Sequence, residues 1–300
     1  MATTFLEMQD RVLKTIALKG DSDTRTEVKN YLNEAAREIW TAYPWRERVA
    51  TAFITTTEPY TTGTATFTNG STTVTGAGTT WTDAMAGRRM ALAHGYPWYT
   101  IDSRTSGTEL ELDRDYVEDT ATGTEYTIYQ DAYELADCDA LLPERVLIFK
   151  DGAHIPLRRM NTPDFYASGG IPSGTGIPSC FRMTEDATDG SPQMQLYPVP
   201  DDAYAIQYAY LKSYTDMSGD TDECVVPENR RGLVVTGALR DAYRLNGEYN
   251  KAVHEEQRFI ARLSDFISAH RRESPTVSIL RPFDQALGGV YRMGRFHADI

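Results

Sequence analysis

The chain has 300 residues, 41% of them hydrophobic, with 18 Tyr, 10 Phe and 4 Trp, which excludes wholesale disorder and allows one large or two modest domains. Its net charge of −13 and pI near 4.9 argue against a protein that wraps phosphate backbones, because that binding runs on clustered Lys and Arg. No stretch approaches the roughly 20 apolar residues of a membrane span.

The charge is unevenly placed. Lys+Arg against Asp+Glu number 8 and 8 over residues 1–50, 10 and 26 over 51–226, and 12 and 9 over 227–300. Near-neutral ends with helical periodicity therefore flank an acidic middle rich in Thr, Tyr and Gly. The pattern reads as a helical frame carrying β-rich decoration. Met1–Asp10 lacks the basic segment and apolar run of a secretion signal, which predicts a chain made and used in a cytoplasm-type compartment.

In chain order, residues 4–18 predict a short amphipathic helix stopped by Gly20. A second helix follows, with capping-box spacing from Thr24 to Glu27 and an apolar row of Val28, Tyr31, Leu32, Ala35, Ala36, Ile39, Trp40 and Tyr43 ended by Pro44. From residue 50 the composition changes to Thr, Gly and aromatics. Residues 64–68 and 71–75 flank Asn69-Gly70, which predicts a hairpin with a type I′ turn. Further alternating pieces at 90–93, 99–101, 109–112 and 125–129 predict a small β-sandwich or barrel. A second strand-rich stretch covers 145–150, 155–158, 180–184, 193–197 and 205–211. Pro227 then opens a helix with the row Leu233, Val234, Gly237, Ala238, Ala242 and Leu245. Gly237 beside Ala238 predicts a close helix–helix approach, since Gly otherwise costs about 1 kcal/mol against Ala there. Tyr249, Ala252, Val253, Phe259, Ile260, Leu263, Phe266 and Ile267 mark a final helix ending near Arg272.

The fold class is therefore α+β: a discontinuous helical bundle from 1–48 and 225–272, an inserted β-sandwich or barrel at 50–131, a second β-rich region at 140–215, and an extended tail at 273–300.

Chemistry-bearing motifs are sparse. Cys138, Cys180 and Cys224 are odd in number, far apart and without a Cys-x-x-Cys pair, so neither a disulfide nor a zinc site is expected. Five histidines share no ligand or triad spacing. The glycine-rich run at 168–176 lacks the Gly-Lys-Ser/Thr ending of a phosphate cradle. Acidic clusters at Asp113/Asp115/Glu118/Asp119, Asp137/Asp139 and Asp220/Asp222/Glu223 have no twelve-residue calcium-loop pattern and read as solvated loops. No catalytic residue, cofactor or metal is expected. Two groups stand above this background as docking candidates. Trp81, Tyr96, Trp98 and Tyr99 concentrate aromatics in the β-insert, where core packing competes with an exposed patch for a tail or fibre protein or a sugar. Arg281, Phe283, Tyr291, Arg292 and Phe296 supply the tail with the residue types that anchor interfaces.

At Tyr208-Ala-Tyr-Leu-Lys212, Asp220-Thr-Asp222, Val226-Pro-Glu228, Gly237-Ala-Leu-Arg240 and Tyr249-Asn-Lys-Ala252 the chain resembles the carboxy-terminal half of tailed-phage head-to-tail adaptor proteins, those of the tail tubular A or gatekeeper type. Leu32-Asn-Glu-Ala-Ala-Arg-Glu-Ile-Trp40 is similar to their amino-terminal helices, and residues 63–129 resemble a β-module that recurs in phage tail and adaptor proteins. The resemblance implies a non-enzymatic ring of twelve copies in the virion neck. It would bind the portal through its tail segment and the tail nozzle or fibres through its β-parts, with DNA passing through and no membrane contact. Two alternatives predict different behaviour: a tail-associated glycan-binding or glycan-cleaving protein, and a metal-assisted hydrolase built on the acidic loops.

Overall fold

The computed structural model describes residues 3–16, 22–92, 98–167, 175–186 and 190–273. Among these the protein is mixed α/β, with five helices: α1 (Phe5–Ile16), α2 (Ser22–Thr41), α3 (Thr162–Ala167), α4 (Glu228–Leu245) and α5 (Tyr249–Glu273). The first strands are β1 (Val49–Thr55), β2 (Thr64–Phe67), β3 (Thr73–Ala77), β4 (Arg89–Leu92), β5 (Trp98–Ser106), β6 (Glu109–Leu112), β7 (Ala121–Thr124) and β8 (Tyr126–Tyr129). They are followed by β9 (Ala132–Glu134), β10 (Cys138–Lys150), β11 (Ala153–Pro156), β12 (Arg158–Arg159), β13 (Cys180–Glu185), β14 (Pro192–Tyr197) and β15 (Ala205–Lys212). The chain divides into two compact units, one made of Met1–Arg48 with Tyr214–Ile300 and the other of Val49–Ser213.

In the first unit, α1 begins at a reciprocal capping box. The Glu7 carboxylate accepts from the Thr4 backbone N–H at 3.1 Å, and the Thr4 hydroxyl oxygen accepts from the Glu7 N–H at 3.3 Å. Helix α2 is helical from Ser22, ahead of the Thr24–Glu27 spacing, and burial on its apolar row begins at Val28. Helix α4 packs against α1, α2 and α5, and its residues from Leu233 to Leu239 are all buried. Gly237 lies where α2, α4 and α5 converge. A methyl group built on it would stand 2.7 Å from the Ala35 Cβ and 3.1 Å from a ring carbon of Phe259, so the close approach read from the sequence has a structural cause.

The apolar row read for the last helix divides in two. Ala252, Phe259 and Leu263 are buried, whereas Tyr249, Val253 and Ile260 are 69%, 51% and 47% exposed. Leu245 at the end of α4 is likewise exposed. The eight residues span more of the helix circumference than one packed face can hold.

Two buried arginines also belong to this unit. Arg231 donates to the carbonyls of Thr3 (2.8 Å), Cys224 (3.0 Å) and Val226 (3.1 Å), tying the start of the chain to the segment before α4. Arg230 lies over the Trp45 ring at 4.4 Å. Trp45 donates its indole N–H to the Ile39 carbonyl at 2.7 Å, and His270 stands edge-on to both Tyr43 and Trp45 while its Nε2 accepts from the Arg46 N–H at 3.3 Å.

The second unit holds three sheets. One has strand order β1-β15-β10-β11 and another β12-β13-β14-β9, and inward residues of both, among them Ile148, Ile206, Tyr208, Phe181 and Met194, share one core. Among the described residues the named strands pair antiparallel except β12 with β13, between which α3 lies. The third sheet has order β7-β2-β3-β6-β5-β4-β8. Its two edge strands are consecutive in sequence, separated only by Glu125, so the sheet must curl round to bring its edges together. Phe67, Val74, Trp81, Met90, Tyr99, Ile101, Leu110, Tyr116, Tyr126 and Ile128 fill the curl.

Two expectations are modified here. The hairpin around Asn69-Gly70 exists, but Phe67 pairs with Val74, so the connection spans residues 68–73 rather than two. Gly70 has positive φ and Asn69 does not, whereas a type I′ turn needs both. Instead Asn69 reaches sideways, its amide donating to the carbonyls of Val117 (3.2 Å) and Glu118 (2.9 Å). Strand β1, placed by the sequence with the β-insert, pairs along its whole length with β15, from Val49↔Leu211 to Thr55↔Ala205.

Candidate functional site

Three of the four aromatic docking candidates lie in the described residues, and packing positions each of them. Trp81 is 2% exposed and donates its indole N–H to the Tyr126 hydroxyl at 2.9 Å; Tyr126 in turn donates to the Thr62 carbonyl at 2.7 Å. Burial holds the Tyr126 phenol well above its ordinary value, so it stays a neutral donor. Tyr99 is 1% exposed and its hydroxyl oxygen accepts from the Val117 N–H at 3.2 Å. Trp98 is half-buried, with Ala91, Tyr129 and Val199 around it. The Arg89 guanidinium stacks over its ring at 3.8 Å and the Arg114 guanidinium approaches at 5.7 Å. Trp81 and Tyr99 therefore serve the core of the curled sheet, and Trp98 serves its junction with the strands that follow. Tyr96 lies outside the described residues, as do Arg281, Phe283, Tyr291, Arg292 and Phe296 of the tail.

The junction beneath Trp98 is polar and sequence reasoning missed it. Buried Asp131 accepts from Arg89 at 2.8 Å and from the Gln195 amide at 2.5 Å, while its own carbonyl accepts from the Leu196 N–H at 2.7 Å. A lone acid followed by Ala-Tyr gives no signal of this. Its role appears only when β4 and β14 are brought beside it.

Each acidic cluster is engaged locally. Asp222 accepts from the backbone N–H groups of Ser218 and Gly219, both at 2.8 Å, and those bonds hold its carboxyl below the usual range. Asp220 is lowered by Lys29, 3.0 Å away on α2. Glu223 pairs with Arg231, Asp137 accepts from the Ser213 hydroxyl, and Asp113 accepts from the Thr100 N–H. Among the described residues no three His, Cys, Asp or Glu side chains gather as metal ligands. The three cysteines are buried and free, and burial raises each thiol, Cys138 to about 11. No helix of the described residues is long and apolar enough to cross a membrane.

What remains as candidate interaction surface is the outward side of the α4–α5 hairpin. Asn246 and Gly247 make its turn, with the Asn246 N–H returning to the Ala242 carbonyl. Arg244 of α4 bridges to Glu256 of α5 at 2.8 Å and to Asp241 at 3.2 Å, fixing the register of the two helices. Leu245, Tyr249, Val253 and Ile260 stand clear of that lock, exposed among the described residues. A second exposed apolar group sits on the β1-β15-β10-β11 sheet, where Phe53, opposite Gln207, and Phe149, opposite Ala205, meet diagonally across β15 with ring centroids 6.2 Å apart.

No curated protein matches the chain. A family model described as SU10 adaptor protein matches it over residues 3–279, nearly its whole length.

Proposed function

This chain belongs to the SU10 adaptor protein family, and from that premise we propose that it is a phage virion structural protein, a head-to-tail adaptor that forms a ring between portal and tail. The observation that carries the reading is the extent of the match, which takes in both units rather than the β-rich middle alone. The helices α1, α2, α4 and α5 act as the bundle that frames the ring, and Val49–Ser213 is the part that contacts the tail nozzle or fibres. The residue resemblance around 205–252 and the helical rows agree with such a frame.

The charge division supports the same reading. The helical unit carries 20 basic and 21 acidic residues, the β unit 10 and 22. Copies can pack through a near-neutral frame, while a strongly acidic surface lets DNA pass without adhering. The protein works by surface complementarity and not by bond chemistry, and residues 274–300, with Arg281, Phe283, Tyr291, Arg292 and Phe296, bind the portal.

Electron microscopy of the purified full chain mixed with the portal of the same phage tests this. A closed ring stacked on the portal is the expected image. A portal that stays bare at saturating protein contradicts the reading.

A further inference from the structure

The outward faces of α5 and α2 are opposite in charge. On α5, Tyr249, Val253 and Ile260 fall at i, i+4 and i+11 and are exposed; exposed Lys251, Arg258 and Arg262 run along the other flank, about half a turn away. Between the two rows stand exposed Asn250, His254 and Gln257 in the first half of the helix and small, exposed Ala261, Ser264 and Ser268 in the second, so another helix can come closest along the second half. Lys251 pairs with Glu248 just ahead of the helix, and Arg258 with Glu255 on the helix at 3.5 Å, so both are held in place along the face. On α2, Glu27, Tyr31 and Glu34 fall at i, i+4 and i+7, with Asp23 one turn earlier; the three acids are exposed and Tyr31 is half-buried between them. Helix α5 packs principally on α4, and among the described residues the side chains of that outer face stay exposed.

Charge also says which unit of the chain can meet another copy. Two β units, each at −12, repel one another, whereas the helical unit at −1 holds its charges in separate basic and acidic zones. We propose that the basic flank of the outward face of α5 docks the acidic outward face of α2 of a second copy of this chain, with Arg258 and Arg262 against Glu27 and Glu34. The inference rests on the ring reading and names the surface that builds the ring. Because one face meets a different face, the contact is heterologous: each copy keeps a free donor and a free acceptor surface, and repetition closes a ring when the rotation between copies closes.

Charge reversal on the full chain, read by sedimentation velocity over a concentration series, tests it. Arg258→Glu with Arg262→Glu should weaken self-association by more than about tenfold, and Glu27→Arg with Glu34→Arg should do the same, since each sets like charges face to face. Combining all four should restore it. All four substituted side chains are exposed, and circular dichroism confirms that each variant is folded. If the wild type associates and the reversals leave it unchanged, or the fourfold variant is not rescued, the α5–α2 assignment is overturned while the ring reading stands. A wild type that stays monomeric throughout overturns the assignment as well, and the ring reading is then judged by the portal microscopy alone.

Discussion

Gly237→Ala and Gly232→Ala are the same chemical change on the same helix in opposite surroundings. Both replace a helical Gly and both should gain about 1 kcal/mol in helix propensity. At Gly232 nothing lies within 4 Å of the added methyl, so that gain stands alone. At Gly237 the methyl would sit 2.7 Å from the Ala35 Cβ, more than about 0.8 Å inside an ordinary carbon–carbon contact, with the Phe259 ring at 3.1 Å on another side. Neither neighbour is the free end of a flexible chain, so α2 must move from α4, an overpacking cost of about 1–3 kcal/mol. The propensity terms cancel in the difference. Gly232→Ala should therefore exceed Gly237→Ala in stability by about 1–3 kcal/mol in urea unfolding followed by helical circular dichroism. Equal stabilities would refute the close meeting of the three helices at Gly237.

Trp81→Phe removes the bond to Tyr126 and leaves a gap in the curled sheet, and should lower stability by about 1–3 kcal/mol; an unchanged urea midpoint would mean the indole is not a core residue. Asp131→Ala strands Arg89 and Gln195 at a buried junction and should cost about 3 kcal/mol or more, with a loss near zero refuting the role given to that carboxylate. Burial pushes Tyr133 and Tyr208 up to about 12 from 10.0, so the folded β unit keeps protons that the unfolded chain releases. Stability is then whole below pH 10 and falls as pH climbs towards 12. Tyr208→Phe should make that alkaline fall shallower while leaving neutral-pH stability nearly unchanged, and an identical slope would count against the buried phenol. Deleting residues 275–300 should leave the melting curve of the rest intact and abolish portal binding; a truncated chain that still binds would remove the tail from the interface.

The helices were legible because each carries its own evidence: a 3.6-residue apolar row, a proline or glycine stop and, at 237, a glycine that only a close neighbour explains. Strand positions were legible for the same local reason, alternation between turn residues. Pairing was not. Nothing near Val49 announces that β1 belongs beside β15, and the order β7-β2-β3-β6-β5-β4-β8 is set by which faces share a core. Solvent exposure was also hidden. Trp81, Tyr99, Tyr249 and Ile260 all read as candidates for either side, and only the neighbours decide that the first two are interior and the last two are not. The buried Arg230 and Arg231 show the converse, since a guanidinium reads as surface until backbone carbonyls or an indole are found waiting for it.

The chain is nested, and at each level its ends return together. Val49 and Leu211 pair where it enters and leaves the β unit. Inside that unit Thr57 and Gln130 are clasped through the Tyr133 hydroxyl at 3.1 and 3.0 Å, and Tyr60 pairs with Ile128. A segment whose two ends stand a strand-width apart is a cassette. It can be lengthened, exchanged or cut out with a short bridging turn while the host's own hydrogen bonds persist. A lineage of such proteins could thus refit itself for new tail hardware by trading the inner cassette, without redrawing the helices that must keep meeting one another.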